Sequence, residues 1–114
     1  MGEWVQVCEV NALKDGEIKK FKLRNKDYLI ARVGDQVYCF SPFCPHKGGL
    51  LERGKILPEC RIECPLHGYV FDLHNGKPVL ITYSPSYGKW RETGDLQVFP
   101  VLLSKGKVHV RVED

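Results

Sequence analysis

The sequence predicts an all-β fold, and three observations carry that prediction. Apolar and polar residues alternate with period two in short runs. Turn-forming residues interrupt those runs about every eight to twelve positions, the spacing of an all-β sandwich or barrel. No segment sustains the 3.6-residue period of a helix. With 114 residues, no linker and no internal repeat, the chain reads as a single domain over 1–114. A core of that size is small, so a bound metal would add usefully to its stability.

The first strand runs through Val5 and Val7 towards Glu9. Lys14-Asp15-Gly16 is a turn, since Asp bonds its own backbone and Gly tolerates positive φ. Residues 18–23 alternate apolar with basic side chains, and Asn25-Lys26-Asp27 turns the chain into a strand over 28–33. Gly34-Asp35 makes a tight hairpin into 36–41. There Val37 and Cys39 share one face while Tyr38 and Phe40 share the other, so both faces are expected to be covered. Prolines, glycines and the paired Cys and His then concentrate between Pro42 and Pro78, which marks the functional loop region. Within it, short strands are expected at 61–64 and 69–73, and Asn75-Gly76 reads as a type I′ hairpin into 78–82. Residues 83–94, carrying Tyr83, Tyr87 and Trp90, form a long connection of the kind that is often functional. Residues 96–103 and 107–112, joined by Ser104-Lys105-Gly106, make a C-terminal hairpin, with Pro100 at an edge or a bulge because it lacks an N–H.

Lys and Arg number 17 against 14 Asp and Glu, a formal net charge of +3. Lys14, Lys19, Lys20, Lys22, Arg24 and Lys26 alternate with apolar residues, as on the wet face of a strand, rather than forming a nucleic-acid stripe. The N-terminus lacks a basic segment followed by an apolar run, and no 18-residue apolar stretch exists. A soluble, cytoplasmic protein that binds neither nucleic acid nor membrane is therefore expected, and in that compartment Cys pairs are read as metal or redox sites. No Ser/His/Asp or Cys/His nucleophile set, phosphate-binding glycine loop or paired-carboxylate site is recognisable.

Cys44-Pro45-His46 is a C-x-H pair, and Cys64-Pro65-Leu66-His67 is a C-x2-H pair. Each follows a strand-like run in a tight loop, so the two loops can project from one sheet and face each other. Tetrahedral zinc accepts two Cys and two His. A two-iron centre with both Cys on one iron and both His on the other instead requires each loop to offer one ligand of each kind, and the sequence does so twice. Cys60 lacks a paired His, and Cys64 fits the pattern better. Cys8 and Cys39 lie in strand-like segments and read as small core residues. His74 and His109 read as surface or strand residues, and Asp72 as the lead into a turn.

Cys44-Pro45-His46-Lys47-Gly48-Gly49 with Cys64-Pro65-Leu66-His67-Gly68-Tyr69-Val70-Phe71-Asp72 resembles the Rieske [2Fe-2S] family. The resemblance implies an antiparallel sandwich of three small sheets with a cluster-binding subdomain inserted at about 42–72. It implies one [2Fe-2S] cluster, with Cys44 and Cys64 on the inner iron and His46 and His67 on the outer iron. Pro85 would belong to a segment closing over the cluster from the side. Two ferric ions, two sulfides and two thiolates sum to zero formal charge, so the oxidised protein keeps about +3. Gly48, Gly49 and Gly68 let backbone N–H groups turn towards the cluster sulfurs, or simply make turns.

In the respiratory branch of that family a disulfide joins the two loops, and here its positions are Gly49 and Leu66. A Ser and a Tyr that donate to cluster sulfurs are replaced by Tyr69 and Phe71. Fewer donors to sulfur stabilise the reduced state less, so the potential is expected towards the lower end of the Rieske range of about −150 to +300 mV. The function implied is a monomeric one-electron carrier, without substrate chemistry, between a flavoprotein reductase and a terminal oxygenase or similar acceptor. The alternatives are a small redox subunit of a multi-component reductase and a Cys2His2 zinc-binding structural module.

Overall fold

The computed structural model describes residues 2–46, 48–82 and 84–113. Eleven strands run in order: β1 Gly2–Glu9, β2 Ile18–Leu23, β3 Lys26–Val33, β4 Gln36–Phe40, β5 Lys55–Leu57, β6 Arg61–Glu63, β7 Val70–Asp72, β8 Pro78–Leu80, β9 Val98–Phe99, β10 Val101–Ser104 and β11 Lys107–Glu113. They pair antiparallel into three sheets, ordered β1-β11-β10, β2-β3-β4-β9 and β5-β6-β7-β8. Among the described residues there is no α-helix, as the alternating pattern requires.

The middle sheet explains the rest of the architecture. On β3 and β4 the even-odd alternation divides two cores. Leu29, Ala31 and Phe40 face one way, against Ile62, Phe71 and the Cys44 and Cys64 thiols. Tyr28, Ile30, Val37 and Cys39 face the other way, against Val108, Val110 and Val112 of β11. A sheet packed on both faces needs apolar residues at successive positions, and residues 28–31 of β3 are buried without interruption. Val37 and Cys39 thus take one face and Phe40 the other, as the sequence predicts.

Three connections differ from their sequence reading. The β2–β3 turn is Arg24-Asn25, with φ of 52° and 65°, so Lys26 and Asp27 already belong to β3. Two successive positive φ values make a type I′ turn, and Asn pays little for one of them. Asn75 has no positive φ, and Asp72 N–H bonds the Lys77 carbonyl at 2.9 Å, so the expected two-residue type I′ turn is a longer loop. Gly76 (φ 78°) is obligatory there because a Cβ would strike the Leu96 carbonyl. Residues 96–103 are not one strand. Pro100 divides β9 in the middle sheet from β10 in the first sheet, so the chain changes sheets where an N–H is missing.

Gly34 at φ 61° opens a two-residue hairpin between the paired residues Val33 and Gln36. Lys105 and Gly106, at φ 53° and 74°, make the C-terminal hairpin between Ser104 and Lys107. The third sheet begins with β5, a strand the sequence reading did not expect, and ends at Leu80 rather than residue 82. In the long connection two 3₁₀ turns span Pro85–Arg91, separated by Gly88 (φ 56°).

Candidate metal centre

Cys44 follows β4, inside a bridge between Phe43 and Leu50, and Cys64 follows β6 in the hairpin that leads into β7. The two loops close in the same way. Cys44 N–H bonds the Gly49 carbonyl at 2.8 Å, and Gly48 N–H bonds the Cys44 carbonyl at 2.8 Å. Cys64 N–H bonds the Tyr69 carbonyl at 2.8 Å, and Gly68 N–H bonds the Cys64 carbonyl at 3.0 Å. In each loop the glycine four residues after the Cys takes positive φ, 73° at Gly48 and 74° at Gly68, which closes the reversal without a Cβ penalty.

Gly49 has a different task. A Cβ placed on it would lie 2.8 Å from Cys64 Sγ, 3.1 Å from Leu66 Cβ and 3.7 Å from Cys44 Cβ. The first loop therefore rests its backbone directly on the thiol of the second, beside Cys44; among the described residues no three His, Cys, Asp or Glu side chains converge on a single metal-ion position. Cys44 and Cys64 are buried in the core shared with the middle sheet, and His46 is 8% exposed. His67 is half-buried, so it is the most solvent-accessible of the four. The two imidazole rings meet edge to face with centroids 5.3 Å apart.

Two residues outside the four candidate ligands position these loops, in contacts that the sequence reading did not foresee. Tyr69, fully buried, stacks on His46 with ring centroids 4.0 Å apart and an interplanar angle of 11°. Thr82 donates its hydroxyl to the His67 carbonyl at 2.6 Å, tying the second loop to the segment after β8. Tyr69 offers only the cue of an aromatic next to a ligand loop, and Thr82 offers none, because its contact spans fifteen residues.

The donor set fits a two-iron cluster. Two thiols and two imidazoles are the donors that two thiolates on one iron and two neutral nitrogens on the other require, and of the four side chains only His67 is partly exposed. Gly49 and Leu66 stand where a cross-loop disulfide would need Cys. Around the loops, Phe43, Leu50 and Leu66 are large apolar side chains left 55%, 46% and 53% exposed. Gly48, Leu50, Arg53, Pro65 and Leu66 line a shallow cavity of about 370 Å³ beside them.

The family model of the Rieske [2Fe-2S] domain matches residues 3–100. This chain belongs to the Rieske [2Fe-2S] domain family. A Rieske domain carries one [2Fe-2S] cluster, and so does this one. Ferredoxin CarAc of Metapseudomonas resinovorans is 32% identical over 111 residues, covering 96% of this chain and 94% of that ferredoxin. Among solved structures, the chain is similar to one from the complex of reduced oxygenase and oxidized ferredoxin in carbazole 1,9a-dioxygenase. The TM-score is 0.74 at 32% identity, with 94% of this chain and 91% of that chain covered. Apoptosis-inducing factor 3 of Homo sapiens is 29% identical over 94% of this chain, which spans 14% of that protein's length.

The remaining candidates separate from the Rieske centre. Cys39 is buried, and burial pushes its thiol up to about 12. Cys8, half-buried at a register shift in β1, is also raised, chiefly by burial. Both remain neutral packing residues. His109 is half-buried on β11. Pro85 is exposed, Tyr83 lies outside the described residues, and the side chains of Tyr87 and Trp90 lie outside them too. Lys47 of the first loop is likewise outside them. Among the described residues no helix is long and apolar enough to cross a membrane.

Proposed function

We propose that this chain is a Rieske-type ferredoxin, a monomeric one-electron carrier in the cytoplasm that does no substrate chemistry of its own. Its donor is a flavoprotein reductase and its acceptor a terminal oxygenase or a similar redox protein. The cluster is held by Cys44 and Cys64 on the inner iron and by His46 and His67 on the outer iron, within one domain over 1–114 whose cluster-binding part begins at about residue 42. The observation that carries this reading is the contact of two identically closed loops through Gly49 and Cys64, each loop bringing one thiol and one imidazole.

When bound, the cluster supplies a one-electron couple between a diferric and a mixed-valence state. The protein supplies the surroundings. Burial of Cys44 and Cys64 keeps water from the thiolate end, and the Tyr69 ring fixes the plane of His46. His67, the most accessible of the four, is the side chain a partner reaches first, and the exposed Phe43, Leu50 and Leu66 give that partner apolar surface to cover. The likeness to a ferredoxin solved together with its oxygenase supports an oxygenase as acceptor.

An anaerobic reductive titration tests the carrier role. The oxidised protein is expected to be red-brown and to bleach with one electron per chain, then to return that electron to an added oxygenase. A colourless zinc-loaded protein, or uptake of two electrons per chain, would contradict the proposal.

A further inference from the structure

Tyr38, Cys60, Asp72 and His74 form a second group of chemistry-bearing side chains, which the metal centre does not use. The Tyr38 hydroxyl on β4 lies 3.5 Å from Cys60 Sγ and 3.2 Å from His74 Nε2. His74 Nδ1 lies 2.9 Å from Asp72 Oδ1, and the same carboxylate oxygen accepts the His74 backbone N–H at 2.7 Å. The His74 ring packs edge-on against the Tyr38 ring, with centroids 5.3 Å apart. A thiol, a hydroxyl, an imidazole and an orienting carboxylate therefore stand in line, the order in which a base activates a nucleophile.

Asp72 fixes the tautomer. With Nδ1–H donated to Asp72, Nε2 accepts from the Tyr38 O–H, whose oxygen accepts from the Cys60 S–H. One proton passed along this line reverses it. His74 becomes a cation against Asp72, its Nε2–H donates to the Tyr38 oxygen, and the Tyr38 O–H donates to the Cys60 thiolate. Burial first, then the hydrogen bond and charge of Cys60, push the Tyr38 hydroxyl up to about 12, so it stays protonated at neutral pH. Burial alone would raise Asp72, but the His74 backbone and imidazole, and then the Arg61 charge, hold its carboxyl below the usual range. Arg61 itself pairs with Glu59 at 3.3 Å.

We propose that Cys60 is an activated thiol, with Tyr38 relaying its proton to His74, and that it takes small disulfides of the glutathione class. The Cys60 sulfur attacks one disulfide sulfur; a new S–S bond forms, the old one breaks, and the departing thiolate takes the bonding electron pair. The proton from Cys60 rests on His74 until that thiolate or water removes it. Cys60 is half-buried and His74 exposed, so the line reaches solvent at both ends; a surface cavity of about 220 Å³ opens at the Tyr38–His74 end, lined by Tyr38, Leu73, His74, Phe99 and Pro100 but not by Cys60. The adduct replaces the Tyr38–Cys60 bond that joins the middle sheet to the third.

The test uses cluster-loaded protein incubated with glutathione disulfide at pH 7, with the adduct located by peptide mass spectrometry and the visible spectrum recorded alongside. One glutathione on Cys60 is expected, absent in Cys60→Ser. Tyr38→Phe and His74→Gln should each slow its formation about 10²-fold, the lower end of what a positioned base supplies, with the cluster absorbance unchanged. Labelling of Cys8 ahead of Cys60, or wild-type rates in both relay variants, would overturn the proposal.

Discussion

Gly49 is the residue on which the two loops meet, and it separates two uses of glycine in one motif. Gly48 has positive φ and open space around its missing Cβ, so Gly48→Ala should cost about 1–2 kcal/mol of left-handed strain and keep the cluster. Gly49→Ala drives a methyl against Cys64 Sγ, in the range of about 1–3 kcal/mol for overpacking, and should lower iron bound per chain. Iron content against melting temperature for the two variants distinguishes them. Equal iron in both would remove Gly49 from the account. The motif made these glycines visible in the sequence, but only the through-space contact tells a turn glycine from a spacer.

Two further predictions belong to single residues. Phe71 is fully buried and has no hydroxyl to donate to a cluster sulfur, so the potential should lie towards the lower end of the range of about −150 to +300 mV. A dye-mediated redox titration giving a value near the top would contradict this. Asp72 is held below its ordinary value, so its contribution to stability is complete above about pH 3.9 and is lost as the pH falls through the depressed folded value. Melting temperatures of wild type and Asp72→Asn should therefore differ at neutral pH and converge below about pH 3.9. The Tyr38–Cys60–His74 contacts were invisible in the sequence, because 22 and 36 residues separate the partners.

At the scale of elements, alternation was most legible where strands are long. The run at 18–23 became β2 unchanged, and those at 28–33 and 36–41 became β3 and β4 with shifts of two residues and one. Three-residue strands such as β5 carry too little pattern to read, and they form only because β6 and the buried Ile62 hold them in register. Pro100 was placed at an edge or bulge and proved to be a sheet crossing, a fact of topology that no local pattern contains. Gly76 joins the third sheet to Leu96, whose N–H bonds its carbonyl at 2.7 Å. Gly76→Ala should thus cost about 3 kcal/mol or more, combining left-handed strain with a backbone clash. Gly34→Ala, at positive φ with nothing near it, should cost about 1–2 kcal/mol. Urea unfolding of both variants reads the difference, and equal losses would contradict the close approach.

For the whole molecule, the middle sheet is the load-sharing layer: one face builds a core with β11, the other a core that includes the two thiols. Loss of the metal centre should therefore loosen the third sheet before the first. The family and its cofactor were legible in 29 consecutive residues because two iron atoms with different ligands demand a mixed pair in each loop. Partners leave no comparable trace, since exposed apolar residues such as Phe43, Leu50 and Leu66 form no sequence pattern that names what covers them.

The proposed ligand set, Cys44 and Cys64 on one iron and His46 and His67 on the other, carries the whole functional reading. Electron paramagnetic resonance of the dithionite-reduced protein tests it most directly, alongside Cys64→Ser and His67→Cys. The account predicts a Rieske-type signal with nitrogen hyperfine coupling in the wild type and its loss in both variants; the same signal surviving in both would contradict the ligand assignment.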